Sequence, residues 1–414
     1  MMANKTNVPE IRFEGFSDAW IQRKLGEVAE SFEYGLNASA KEFDGTHKYI
    51  RITDIDDSLR FFDESNLTSP DIEFSDADNY LLKHGDILFA RTGASVGKSY
   101  IHKDSKSKVY FAGFLIRARF PVEYDVDFIY QNTLTEKYNT FIKIMSQRSG
   151  QPGVNAQEYA SYSVGFSSHK EMQALGNFFC TLDSLITENQ RKVENLKQLK
   201  TAYLQQMFPQ AGERVPRVRF DGFSGDWEEK ELGTLSMKVS QKNKDNRHSE
   251  TLTNSAEYGI ISQRDFFDKD ISNQKNLDGY FVVQPDDFVY NPRISNHAPV
   301  GPIKRNLLGR TGVMSPLYYV FRIVEGNLTF IEKYFESIYW HEFMKLNGDN
   351  GVRSDRFNIK DSIFETMPIP FPVLEEQKAI GSFFNSIDTQ ISSQAECLNK
   401  LKQLKTAYLQ KMFI

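Results

Sequence analysis

Apolar residues recur in alternating steps of four and three at two places in the chain. Leu175, Phe179, Leu182, Ile186, Asn189, Val193 and Leu196 trace the first run, and Ile380, Phe384, Ile387, Ile391, Gln394, Leu398 and Leu401 trace the second. This is the a/d spacing of a helix–helix seam. Asn189 and Gln394 sit at the matching position, where a polar residue costs stability and can fix register and partner choice. Farther on, the steps become four and four (Leu199, Tyr203, Met207 and Leu404, Tyr408, Met412), so the seam drifts there. A helix from Glu171 to Phe208 would span roughly 55 Å. So narrow a stripe cannot bury a helix all round, and the pattern predicts two long helices packed on each other.

The two runs are copies. Leu196–Phe208 and Leu401–Phe413 differ only at Gln206 versus Lys411. The start of each half is marked too: Ile11-Arg12-Phe13-Glu14-Gly15-Phe16-Ser17 matches Val218-Arg219-Phe220-Asp221-Gly222-Phe223-Ser224, with Trp20 against Trp227 and Leu25-Gly26 against Leu232-Gly233. The chain is an internal duplication in which each half reads opening segment, globular body, long helix. Pro209 ends the first helix, and the second opening segment follows Pro216.

The bodies, roughly 25–165 and 232–371, share little sequence and read as mixed helix and strand. Asp86–Ala90 and Asp287–Tyr290 are short apolar runs after turn signals, which predicts buried strands. Val126–Met145 and Leu328–Leu346 carry aromatics at helical spacing, and each is followed by a Gly-rich loop, Gln147–Gly153 and Asn347–Gly351. The second body closes on an extended Met367–Pro372; the first reads Val164–Ser168 there, without prolines. The division expected is a first body with its opening segment at 1–168, a long helix at 169–208, a second body with its opening segment at 209–372 and a second long helix at 373–414.

Composition narrows the class. At 414 residues, 40% hydrophobic and 25% charged, the chain suits soluble multi-domain folding. Cys180 and Cys397 are not equivalent in the repeat, so they form no duplicated metal site or bridge. With a polar Met1–Glu10 and no long apolar run, a cytoplasmic protein without a membrane partner is expected. A net charge of −5 argues against indiscriminate nucleic-acid binding, but charge is segregated. Lys83–Arg119 holds eight basic residues against two acidic, Lys41–Asp78 holds four basic against eleven acidic, and Phe288–Val324 has five basic and none acidic. Basic runs after equivalent strands suit phosphate contacts.

Catalytic motifs are wanting. Arg91-Thr92-Gly93-Ala94-Ser95-Val96-Gly97-Lys98-Ser99 has three residues between its glycine and the Gly-Lys pair, where a phosphate-binding loop needs four. The second body replaces it with Asn296-His297-Ala298-Pro299-Val300-Gly301-Pro302. Tyr290-Asn291-Pro292-Arg293 lacks the second proline and stacking aromatic of an amino-methyltransferase turn. The histidines show no metal-ligand spacing, so no cofactor or metal is expected in this chain.

The ordered duplication, the opening segments Ile11–Trp20 and Val218–Trp227, the segment Asp86–Lys98, the Pro368–Gln377 junction and the two Leu-Lys-Gln-Leu-Lys helix ends together resemble the specificity (S, HsdS) subunit of type I restriction–modification systems. The likeness covers essentially the whole chain. It departs at Gly165–Lys170, which lacks the Pro-rich junction, and at Asn291–Gly301, which lacks the Arg-Thr-Gly loop. The resemblance implies an α+β protein: two target recognition domains separated by two long antiparallel coiled-coil helices with pseudo-two-fold symmetry. It implies a non-catalytic reader of double-stranded DNA, each domain taking one half of a bipartite, asymmetric site. The helices would set the half-site spacing and dock two copies of an adenine methyltransferase subunit, joined by restriction (translocase) subunits. Adenosylmethionine, ATP and Mg²⁺ would reside on those partners.

For base or phosphate contact the residue types favour Arg91, Thr92, Lys98, Arg148 and Gln151 in the first body. In the second they favour Arg293, Ser295, Asn296, His297, Arg353 and Arg356. Arginine takes guanine edges bidentately, and Gln or Asn takes adenine. The competing reading is a coiled-coil scaffold with two protein-binding heads, which explains the helices but leaves the paired basic runs without a purpose.

Overall fold

The computed structural model describes residues 7–57, 59–147, 151–210, 212–267, 277–350 and 355–414. The chain divides into two compact units, Met1–Arg191 with Ala395–Ile414, and Lys192–Gln394. Neither is a simple half of the sequence. Each holds one opening segment, one body, the beginning of one long helix and the far end of the other.

The long helices run His169–Gln206 and Leu374–Lys411, 38 residues apiece. In the first unit they pair antiparallel. Phe178 meets Tyr408 edge-on, ring centroids 5.3 Å apart, and farther along Asp183 faces Lys405 at 2.5 Å. The second unit repeats the arrangement with Tyr203 against Phe383 at 4.9 Å and Lys200 against Asp388 at 2.6 Å. Leu175, Phe179, Leu182, Ile186, Val193, Ile380, Phe384 and Ile387 are buried, while Leu196, Ile391, Leu398 and Leu401 are half-buried.

The end of each helix packs on the body that it does not follow in sequence. Leu409, Met412 and Phe413 lie in the core of the first unit, with the Phe413 ring 6.4 Å from Trp20 and 5.4 Å from both Phe128 and Phe179. Leu204, Met207 and Phe208 do the same in the second, Phe208 lying 6.4 Å from Trp227 and 5.3 Å from Phe330. Burial of one such phenylalanine stabilises by about 1.5–3 kcal/mol. In each unit the opening segment clasps both helices at this point. Ile11 N donates to Lys411 O and Val218 N to Gln206 O, each at 2.9 Å. Arg12 forks onto Glu171 and Arg219 onto Glu376, carboxylates in the first turn of each helix.

Each body is built on a four-stranded antiparallel sheet of the same order. The first runs Ser31–Tyr34, Leu115–Arg119, Ile87–Ala90, Ser99–Ile101; the second runs Ser236–Lys238, Tyr319–Ile323, Phe288–Tyr290, Ile303–Arg305. The strands expected after Gly85 and Asp286 are therefore interior, and every residue of Ile87–Ala90 and Phe288–Tyr290 is buried. The junctions prove equivalent despite their sequences: Ser163–Phe166 pairs with Ile21–Lys24, as Pro368–Phe371 pairs with Glu228–Glu231. A two-stranded ribbon has open edges, so prolines are tolerated in one copy and dispensable in the other.

The expected single helices are each broken. Val126–Asn132 and Glu136–Met145 are separate because Thr135 caps the second, its hydroxyl accepting from Tyr138 N. Leu328–Glu336 and Trp340–Asn347 are separated at Ser337–Tyr339. Among the described residues, no helix is long and apolar enough to cross a membrane.

Candidate nucleic-acid interface

The loop after the interior strand is tied to the late loop of the same body, in the same way in both units. In the first, Thr92 bridges Gly153, Val154 N donates to Arg91 O at 2.9 Å and Gly93 N donates to Pro152 O at 3.1 Å. In the second, Arg293 bridges Arg356, Phe357 N donates to Pro292 O at 2.8 Å and Ile294 N donates to Asp355 O at 3.0 Å. Each loop returns through a glycine in the left-handed region, Gly97 (φ 85°) and Gly301 (φ 83°). Two candidate loops, separate in sequence, are thus brought together in each body. The ladder also gives the correspondence: Thr92 stands where Arg293 stands, Gly153 where Arg356 stands, and Arg91 where the second body has Pro292.

Arg91 lies over the Tyr34 ring at 4.7 Å, its Nη1 reaching Gly113 O at 3.5 Å, and it has no ion-pair partner among the described residues. It lines a cavity of about 590 Å³ with Tyr34, Asn37, Tyr49, Arg51 and Phe114. Arg51 is forked onto Asp54 at 2.8 Å, a hydrogen-bonded pair that holds the guanidinium above its usual pKa. Tyr49 donates to Leu36 O at 2.8 Å, and burial raises its pKa, so it serves as a neutral donor. Gln151 is exposed beside the loop.

In the second body Arg293, Ser295, His297 and Arg356 line one cavity of about 680 Å³ with Asn254 and Asn291. Asn291 Nδ2 donates to Asn254 O at 2.8 Å, while the buried Asn254 Oδ1 has no partner among the described residues. Ser295 and Ala298 exchange both backbone bonds at 3.0 Å, which leaves Asn296 and His297 exposed at the turn. Arg148 and Arg353 lie outside the described residues. Tyr34, Asn37, Arg51 and Asn254 carry no signal in the sequence that marks them as site residues, whereas Asn291 belongs to the Tyr290–Arg293 turn already noted. Those four are far away along the chain, and only the fold brings them to these loops.

Lys98 does not join the group. It is buried, its ammonium donating to Ile55 O at 2.9 Å and paired with Asp57, because the residue after Gly97 turns back under the sheet. About half of the basic residues in the two runs are also neutralised by ion pairs. Arg119 forks onto the buried Asp86 and Arg322 onto the buried Asp287, matching pairs that staple the turn before each interior strand. Arg117 pairs with Glu33, Lys103 with Asp127, Arg305 with Glu332 and Arg310 with Glu250. A run of like charge in sequence is thus not a basic face. What remains without an ion pair among the described residues is Arg91, with Lys83, Lys106 and Lys108, in the first run, and Arg293 and Lys304 in the second. No three His, Cys, Asp or Glu among the described residues are grouped to hold a metal ion.

Residues 225–403 match the family model described as type I restriction modification DNA specificity domain. A relative described as the type I restriction enzyme MjaX specificity subunit, from Methanocaldococcus jannaschii, is 23% identical over 97% of this chain and 93% of its own length. The fold is similar to that of the type I restriction–modification S subunit of M. genitalium, with a TM-score of 0.60 at 12% identity, covering 98% of this chain and 99% of the other. A chain from a structure concerning complex assembly and conformational transition of the type I R-M system gives a TM-score of 0.51 at 16% identity, covering 95% and 97%. The chain is thus similar over residues 225–403 to the type I specificity domain, and along nearly its whole length to a type I specificity subunit in sequence and in fold.

Proposed function

We propose that this chain is the non-catalytic, DNA-reading subunit of a type I restriction–modification complex, each body reading one half of a bipartite, asymmetric site. The observation that carries this is one ladder bearing two different sets of side chains. The first body offers Arg91, Thr92 and Gln151 there; the second offers Arg293, Ser295, His297 and Arg356. Identical bodies on a two-fold frame would read a palindrome, whereas divergent ones read two different half-sites.

The helix ends support docking of two copies of one partner. Gln198, Leu199, Thr201, Ala202 and Gln205 are exposed, and so are their copies Gln403, Leu404, Thr406, Ala407 and Gln410. Packing explains why the buried positions match; it does not explain identity on the open face. A surface presented twice is suited to two copies of the same protein, which we assign as the adenine methyltransferase subunit. That partner and the restriction subunits would carry adenosylmethionine, ATP and Mg²⁺. Exchange of residues 25–165 for the corresponding body of a relative tests the reading. Site selection by the assembled methyltransferase should return one new half-site and one unchanged; a change in both, or in neither, would overturn it.

A further inference from the structure

The turn that enters the strand beside each interior strand carries a bare apolar side chain, in both bodies. In the first it is Phe114, 64% exposed; in the second Leu317, 57% exposed. The two turns correspond: Leu115 N donates to Ala112 O and Tyr318 N to Ser315 O, and the strands they lead into, Leu115–Arg119 and Tyr319–Ile323, hold the same place in the sheet. The bodies share little sequence, yet each leaves a large apolar group in water at this point.

The neighbours are the candidate reading groups. Arg91 N donates to Phe114 O at 3.0 Å and the Arg91 side chain reaches Gly113, so the tip and the arginine move as one piece. Leu317 lines the cavity that holds Arg293, His297 and Arg356. Neither side chain belongs to a hydrophobic core cluster of its body.

We infer that Phe114 and Leu317 each contact the 5-methyl group of a thymine in the half-site read by their body, so that they are specificity-determining residues. This rests on the DNA-reading function proposed above. Arginine beside the tip favours the major-groove edge, where guanine O6 and N7 lie. The apolar group that the same edge offers is the thymine 5-methyl. A wedge driven between bases would act from the minor groove instead.

The test uses the full chain assembled with its methyltransferase subunits. Binding-site selection comes first, and failure to recover a bipartite site would sink the DNA-reading function itself. Uracil is then placed for each thymine in turn. The wild-type complex should lose about three- to fivefold in affinity at one thymine of each half-site, the worth of one buried methyl. Phe114→Ala should lose as much on thymine DNA and become indifferent to uracil in the first half-site only. Leu317→Ala should do so in the second only, and Phe114→Leu should keep the thymine preference. A half-site without thymine, or a uracil penalty that survives the alanine variant, would overturn the inference while leaving the function standing. Because both side chains are exposed, the variants should unfold at the wild-type temperature.

Discussion

Arg12 and Glu171, far apart in sequence, form a two-pronged ion pair at 2.5 and 2.7 Å, and Trp20 Nε1 donates to the same carboxylate at 3.2 Å. Arg219 and Glu376 repeat the fork at 2.7 and 2.8 Å. Both glutamates are almost wholly buried, so neutralising one strands a guanidinium under cover. Glu171→Gln should destabilise the first unit by about 3 kcal/mol, the cost of breaking a buried pair from one side. Urea unfolding of the full chain would show it as a lower midpoint at unchanged slope. An unmoved midpoint would mean that Phe13 and Trp20 alone hold the opening segment in place.

Arg91→Ala should weaken specific DNA binding by about 1–3 kcal/mol, with relaxed preference at one position of the first half-site if it reads a base. A phosphate contact would instead weaken all sequences alike and lower the salt slope by about one. Lys98→Met should leave the salt slope unchanged, since that ammonium is buried against Ile55 and Asp57. Affinities measured across a salt series separate these outcomes.

Stability in acid should depend on one buried network of the second unit. Lys333 lies between Glu336 at 2.6 Å and Asp388 at 2.7 Å, and Lys200 faces both carboxylates. Burial alone would raise the two carboxyl pKa values, but the lysines outweigh it and hold both below their usual range. A carboxyl depressed in the folded state contributes stability that is complete above its unfolded value, about 4, and lost as pH falls through the folded value. Unfolding free energy should therefore fall steadily below about pH 4. Asp388→Asn should cost about 2 kcal/mol at pH 7, less than for a fully buried pair because Asp388 is partly open to water. It should also flatten the acid limb; an unchanged limb would place the acid sensitivity elsewhere.

A heptad inserted in each long helix, between Val193 and Leu196 and between Leu398 and Leu401, should lengthen the preferred spacer between half-sites. Seven residues make about two turns and keep the seam inward, adding about 10.5 Å. That corresponds to about three base pairs of duplex. Three base pairs also rotate the DNA by about 100°, so affinity should drop as the spacer grows. Selection from a library with fixed half-sites and variable spacers reads the change. A spacer that stays at the wild-type length would show that the helices dock partners without measuring distance.

How much of the molecule is legible in its sequence follows from what each signal reports. The seam periodicity locates both helices to within a few residues, and the all-apolar runs locate the interior strands, because each reflects a buried face. The Arg91 loop and the Gln151 loop stand out only as two separate candidates, since no local pattern reports a bridge such as Thr92 to Gly153. Lys98 misleads because a lysine after a glycine looks the same whether it turns outward or under the sheet. The basic runs mislead for a related reason: the partners of Arg117 and Arg322, Glu33 and Asp287, fall outside the counted segments, and charge counting along a segment does not see them. Nor can a stripe of leucines say which body receives Phe208 and Phe413.

The exchange of helix ends has a consequence for the order of assembly on the ribosome. Residues 192–394 form one uninterrupted stretch and can complete their core as soon as they emerge. The unit begun first cannot, because its core waits for Leu409, Met412 and Phe413. At about 5–20 residues per second the delay is about ten to forty seconds. Through that interval Trp20, Phe128 and Phe179 lack their last neighbour, so the N-terminal body is the last part of this protein to close and the one most in need of a chaperone while it waits.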